Sequence, residues 1–393
     1  MQNPSKWSVV AALCALAVTA PAPAAEYTWS GGSGGAGDAW RQANNWNPAA
    51  GQGGPASGDL ATFATNGTAS SIGIKFNDGL GLTTAVGAIV LSAGPNRTIF
   101  NSSPNSSGTL RLEGWQGVVL LNAATSSVLA LRNGSESMMR VELTSGGIIH
   151  VGASAAGIIM ESEVAGTNGF RQTGAGFVRL THANSLGGNV VVSGGTLELS
   201  ACGGGSLSSV GSLRLETGAT AELCNAEQLG NATALDLAGG TLRGADGALP
   251  VGETAGPVTL NATSTIDLRA SNLQLADSSS IVWNSAATLT ITNWRGVAGG
   301  DGGRLFFGVG GLTSTQLAQI YFADLGIQGG QLVGPDGELS PIPEAPVAAA
   351  AAALAGFIVW RERRRLLRAV RHRFAPRCGA SASRTGRFRS ADG

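Results

Sequence analysis

Four groups of residues in this chain have types and spacings that chemistry uses. Gly31-Gly32-Ser33-Gly34-Gly35 fits Gly-x-Ser-x-Gly, which presents a serine nucleophile only where a strand runs in, a helix runs out and a His and an acid are placed for it. In a glycine-rich opening it reads as a loop. Glu161 and Glu163 stand at i and i+2, which on one strand face makes either a carboxylate pair of the kind used on glycosidic bonds or two solvated side chains. His150 and His182 are the histidines that precede the C-terminal tail, too isolated for a metal site or a triad, and a hydrogen-bonded structural role is the default. Gly299-Gly300-Asp301-Gly302-Gly303 matches one turn of a calcium-binding nonapeptide array, but such sites need successive copies, and a tight loop is the simpler reading. The chain therefore offers no catalytic, cofactor-binding or metal-ligating constellation, and we read it as non-enzymatic.

The elements that would position any site are short strands. With 60 glycines, 13% charged and 5% aromatic residues, the composition disfavours helices. Apolar and polar residues alternate at period two in Gly108–Leu112, Ser127–Leu131, Gly195–Leu199, Gly211–Leu215, Ala219–Leu223, Ala234–Leu237, Gly240–Leu242, Thr265–Leu268, Asn272–Leu275 and Ala287–Ile291, so each has one buried and one solvated face. Gly-Gly-Thr-Leu at Gly194 returns at Gly239, a distance that two coils of about 22 residues would fill. Asn-Gly and Asp-Gly hairpin signals are sparse and single or paired glycines frequent, as at the corners of a solenoid. The expected fold is all-β, a right-handed parallel β-helix, with an antiparallel sandwich as the alternative.

A resemblance sharpens this. Gln172-Thr-Gly-Ala-Gly-Phe-Val-Arg-Leu-Thr-His-Ala-Asn184, followed by Gly187-Gly188 and Val190-Val-Val-Ser-Gly-Gly-Thr-Leu-Glu-Leu199, resembles the autotransporter-associated β-strand repeat. One copy covers about residues 168–200 and weaker copies extend to Leu242; Phe177 stands where the pattern has a small polar residue. Trp29-x-Gly with Trp40 and Asn45-Trp46, and Leu312–Phe322, resemble the opening and the end of such proteins. Trp29, Trp40 and Trp46 either stack on sugar rings or seal the first coil. Thr313 and Gln316, with Leu312 and Leu317, make a capping box and hydrophobic staple, which predicts a helix over 314–322 closing the other end. Cys202 and Cys224 lie 22 residues apart, about one coil, and are candidates for a disulfide between adjacent rungs or for two buried thiols.

Both ends carry addresses. Lys6, the apolar run Val9–Val18 and Ala22-Pro23-Ala24 read as a signal peptide cleaved after Ala24, give or take a residue. Near the C-terminus Pro343-Glu344-Ala345-Pro346 precedes an uncharged stretch over 345–360 and then Arg361, Arg363, Arg364 and Arg365. This layout resembles the PEP-CTERM sorting signal of bacterial envelope proteins, although Pro-Glu-Pro is the usual motif and the family tail ends soon after its arginines. The resemblance implies a processing protease as partner. The stretch over 345–360 is short for a span, which needs about 20 residues, and suits a transient membrane anchor with its arginines kept cytoplasmic.

The segments are then 1–24 signal peptide, 25–107 N-terminal cap and first coils, 108–295 repeat region, 296–340 C-terminal cap, 341–365 sorting signal with its single hydrophobic helix, and 366–393 a basic disordered tail. Of 25 basic and 25 acidic residues, eleven arginines follow Trp360 with only Glu362 and Asp392, and Lys6 leaves with the leader. The body keeps 13 basic and 23 acidic residues, which argues against nucleic acid as a partner. The expected function is a surface or extracellular-matrix scaffold at the outer envelope, in contact with exopolysaccharide. The alternative is a β-helix polysaccharide-binding protein, or a polysaccharide lyase or hydrolase, whose carboxylate cluster on one exposed sheet is not seen. An autotransporter passenger would need a C-terminal barrel of long alternating strands, which the arginine-rich end does not supply.

Overall fold

The computed structural model describes residues 25–30, 40–50, 54–64, 71–74, 83–101, 105, 107–134, 137–200, 204–245, 251–296, 303–342 and 354–364. The chain forms two compact units, Met1–Pro341 and Ile342–Gly393.

Among its described residues the first unit is mostly β. One sheet has eleven strands, a second has twelve, and two further sheets have five each. The chain visits them in turn: Leu60–Phe63 lies in the first sheet, Ser71–Ile74 in the second and Thr83–Val86 in the third, and Ala88–Leu91 returns to the first, parallel to Leu60–Phe63. Long parallel sheets built this way are compatible with a β-solenoid. All ten alternating segments read from the sequence fall on strands or overlap them.

Register explains why the alternation is so plain. Parallel strands stack like on like, so one inward position is the same kind of residue coil after coil. Leu129, Ile158, Val178, Leu197, Ala221, Leu242, Ile266, Ile291 and Phe322 form one such row in the second sheet, all buried. In the first sheet Ala61, Ile89, Leu120 and Ile149 are 28, 31 and 29 residues apart, after which Gln172, Val192, Leu215, Leu237 and Leu260 follow at 20 to 23. Thr196, Thr220 and Thr241 are in register, so the two Gly-Gly-Thr-Leu copies do lie two coils apart. Glycine is required at that corner: Gly195 has φ +67°, and a Cβ there would stand 2.0 Å from the carbonyl oxygen of Gly176.

The asparagine of Ala183-Asn184 also has a physical role. Asn184 is buried; its Oδ1 accepts the Val164 N–H at 2.8 Å, and its Nδ2 donates to the carbonyls of His182 at 2.7 Å and Ser206 at 2.8 Å. One side chain thereby ties its own coil to those on either side.

Both ends close with antiparallel strands. At the start Glu26–Trp29 pairs with Trp46–Asn47, and the rings of Trp29 and Trp40 each lie about 5 Å from that of Trp46, edge to face, with Phe63 beneath them. Trp29, Trp40 and Trp46 are 1%, 0% and 2% exposed, so they offer no ring face to a sugar and act as the seal. A separate apolar cluster covers the outer side of the first sheet here: Leu60, Ala88 and Val90 lie under Trp115 and Leu121.

At the other end the capping box forms as expected, with Thr313 Oγ1 accepting the Gln316 N–H and Gln316 Oε1 accepting the Thr313 N–H. The helix, α1, is Ser314–Ala318, shorter than the predicted 314–322. Ile320–Phe322 is instead a strand of the second sheet, because Ile320 and Phe322 complete two inward rows over Leu289 and Ile291. The hairpin of Gly330–Val333 and Glu338–Pro341 then closes the unit, with Glu338–Pro341 antiparallel to Arg304–Phe306 and Arg304 Nε 2.9 Å from Glu338 Oε1.

In the second unit residues 354–364 are helical, and the ring of Trp360 lies against Phe357 at 5.8 Å and under the Arg364 guanidinium at 4.1 Å. No helix among the described residues is long and apolar enough to cross a membrane. Residues 1–24, Pro343, Glu344, Pro346, Arg365 and the tail 366–393 lie outside the described residues.

Asn184→Ala removes the acceptor of a buried N–H and the donors to two carbonyls. We expect a loss of about 2 kcal/mol or more, read as a lower urea midpoint with unchanged slope.

Candidate functional site: paired charges on the outer faces

Outward positions repeat by coil just as inward ones do, so a charge meets the same position of its neighbours about 4.8 Å away. On the second sheet Arg179, Glu198, Glu222, Arg243 and Asp267 form one row. Arg179 pairs with Glu198 at 2.8 Å and Arg243 with Asp267 at 3.4 Å, while Arg269 reaches Glu222 at 3.2 Å and Asp267 at 3.6 Å. The adjacent like charges Glu198 and Glu222 are thus each compensated from opposite sides. On the first sheet Glu216 takes Arg171 at 2.6 Å and Arg214 at 3.2 Å, and Arg214 also binds Asp236. Against the opposing effect of burial, hydrogen bonds and charge from Arg214 and Arg171 hold the Glu216 carboxyl below its usual range. Pairs as exposed as these add about 0–1 kcal/mol each, so their main effect is to keep like charges from stacking.

Glu161 and Glu163 do not share a strand face. Glu161 ends a strand of the second sheet and Glu163 begins one of the third, with Ser162 buried between them. The chain turns its corner within those three residues. Glu161 lies 3.7 Å from Arg132, whereas Glu163 lies 3.9 Å from Arg140 and accepts a hydrogen bond from Ser185. A shallow hollow of about 290 Å³ on the third sheet is lined by Thr109, Met138, Arg140 and Glu163; its acid and base are paired with each other.

His150 and His182 are placed apart, His150 in a strand of the first sheet with Nδ1 2.9 Å from Thr173 Oγ1, and His182 in the corner after Phe177–Leu180. Among the described residues no group of three His, Cys, Asp or Glu is placed to hold a metal ion. The Gly31–Gly35 segment, most of Gly299–Gly303 and Cys202 lie outside the described residues. Cys224 follows Leu223, which is in register with Leu199, and its N–H donates to Gln228 Oε1 at 2.6 Å.

The outer second sheet also carries a hydroxyl row. Thr196, Thr220, Thr241, Thr265 and Thr290 succeed one another on five coils, bracketed by Phe177 and Tyr321.

Sequence reasoning passed over Glu253. It lies in Val251–Ala255 and is 1% exposed; its Oε2 accepts the Gln228 N–H and its Oε1 the Leu229 N–H, both at 2.8 Å. Burial pushes its carboxyl up to about 7, against the two N–H donors that lower it, with nearby Glu227 raising it further. Its alternation with buried Ala255 was the available signal. Comparison with protein-family models, with curated proteins and with solved structures finds no match for this chain.

Because the folded carboxyl titrates above its unfolded value of 4.5, the neutral form is the one the fold favours. Its contribution is complete below about pH 4.5 and is lost as pH rises to about 7, a change of ~3 kcal/mol. Glu253→Gln cannot ionise, so the difference in unfolding free energy between wild type and variant should shift by that amount between pH 5 and 8 (roughly the bracketing values).

Proposed function

We propose that this chain is a non-enzymatic scaffold, a right-handed parallel β-helix exported through its signal peptide and sorted to the bacterial envelope by its PEP-CTERM-like tail. Right-handedness is the general rule for parallel crossovers. The observation that carries the reading is the outer surface, where Arg111, Arg132, Arg140, Arg171, Arg179, Arg214, Arg243, Arg269 and Arg304 each face an acid of the same surface. Charges that neutralise one another leave a stiff, regular exterior suited to contact with exopolysaccharide rather than a cleft in which acids converge on a bond.

The sorting role draws on Pro343, Glu344 and Pro346 and on Arg361, Arg363, Arg364 and Arg365. The solenoid unit ends at Pro341, ahead of these residues, so a processing protease could remove the tail without cutting a strand. A second reading, polysaccharide binding without cleavage, draws on the threonine row, which gives a polymer lying across the coils one hydroxyl at each step.

In a bacterium with the sorting machinery, mass spectrometry of the exported protein should find its C-terminal peptide before Arg361, and deletion of 342–393 should release the body into the medium. A full-length chain retained in the cytoplasm contradicts the proposal.

A further inference from the structure

The first described residue is held by a carboxylate. The backbone nitrogen of Ala25 lies 3.1 Å from Asp59 Oδ1, and the other oxygen of Asp59 accepts the Ala56 N–H at 2.8 Å. The carbonyl of Ala25 accepts the Leu60 N–H, also at 2.8 Å. Nitrogen and carboxylate are therefore both fixed by the first coil, 34 residues apart in sequence.

The corner is acidic. Glu26 follows Ala25 and accepts a hydrogen bond from Thr62, and Glu113 accepts one from Ser57, two residues before Asp59. Along the sheets acids stand beside arginines, yet among the described residues Glu26, Asp59 and Glu113 make no ion pair. One of these three acids already accepts the Ala25 N–H, which leaves this corner placed to take a cation.

We propose that the cation is the chain's own new N-terminus: cleavage after Ala24 creates an α-ammonium on Ala25 that Asp59 is already placed to bind. This rests on the export reading above. Hydrolysis adds one water across the Ala24–Ala25 amide, leaving a carboxylate on Ala24 and an amine on Ala25, which is protonated below about pH 8. A contact in which only the acceptor is charged becomes an ion pair with both partners charged. Maturation thus locks the first strand to the first coil, and only a cut at this bond sets the charge in place. With cleavage one residue later, the donor itself is gone.

The chain Ala25–Gly393, made by removing a tag with a protease that leaves no extra residue, tests the pairing. Lys75 is its only other amine and serves as reference while acylation rates are followed by mass spectrometry against pH. The Ala25 amine should titrate about one unit above its usual value near 8, and Asp59→Asn should return it there without moving Lys75. A second form with one glycine ahead of Ala25 keeps Asp59 and should also titrate near the ordinary value, which covers the case in which Asp59→Asn does not fold. Equal values in the Ala25 and glycine-extended chains overturn the pairing. An exported protein whose N-terminal peptide begins elsewhere than Ala25 overturns the maturation step, and that result is separate from the titration.

Discussion

Corners govern this structure more than strands do. Within a strand each N–H and C=O meets the coil above or below, but where the chain turns between sheets the ladder stops while the backbone stays buried, and an unpaired buried amide is costly. The solution recurs along the unit: a buried polar side chain serves the main chain of adjoining coils. Asn122 donates to the carbonyls of Ser127 and Gly157, and Gln172 to that of Thr196. Asn184 joins three coils, and Gln228 takes two N–H groups while donating to Leu199 and Gly205. Glu253 does for Gln228 and Leu229 what an amide does elsewhere, with an ionisable group. Gln316 closes the series from α1, donating to Ser278 and Ile281.

That constraint also explains what could be read in advance. Inward rows such as Leu197, Ala221 and Leu242 repeat at nearly constant spacing, so alternation and the Gly-Gly-Thr-Leu period were visible from about residue 108 onward. The earliest coils run to 28 and 31 residues, and their loops hide the period. Local chemistry was legible in full at Thr313 and Gln316, where the cap is built from neighbours in sequence. It failed at Ile320–Phe322, where an inward row overrode the helical pattern, and at Glu161 and Glu163, where a corner falls inside three residues. Glu253 was missed because its partners lie on the preceding coil, out of reach of any motif.

The exterior follows from the same stacking. A parallel stack forces each outward residue against its equivalents, and this chain answers with alternating sign, as at Arg179 and Glu198 or Arg243 and Asp267. Such a surface is rigid, self-compensated and extended in one direction, which is why we read it as a scaffold. At the first coil the acid Asp59 meets the backbone nitrogen of Ala25 instead of an arginine.

Amide hydrogen exchange at single-residue resolution tests the corner account most directly. The N–H groups of Gln228 and Leu229, which lie outside the strands and are bound by the Glu253 side chain, and that of Val164, beside a corner and bound by Asn184, should exchange as slowly as the strand amides of Val190–Val192 and Gly195–Leu199. Exchange at the rate of an open loop would contradict it.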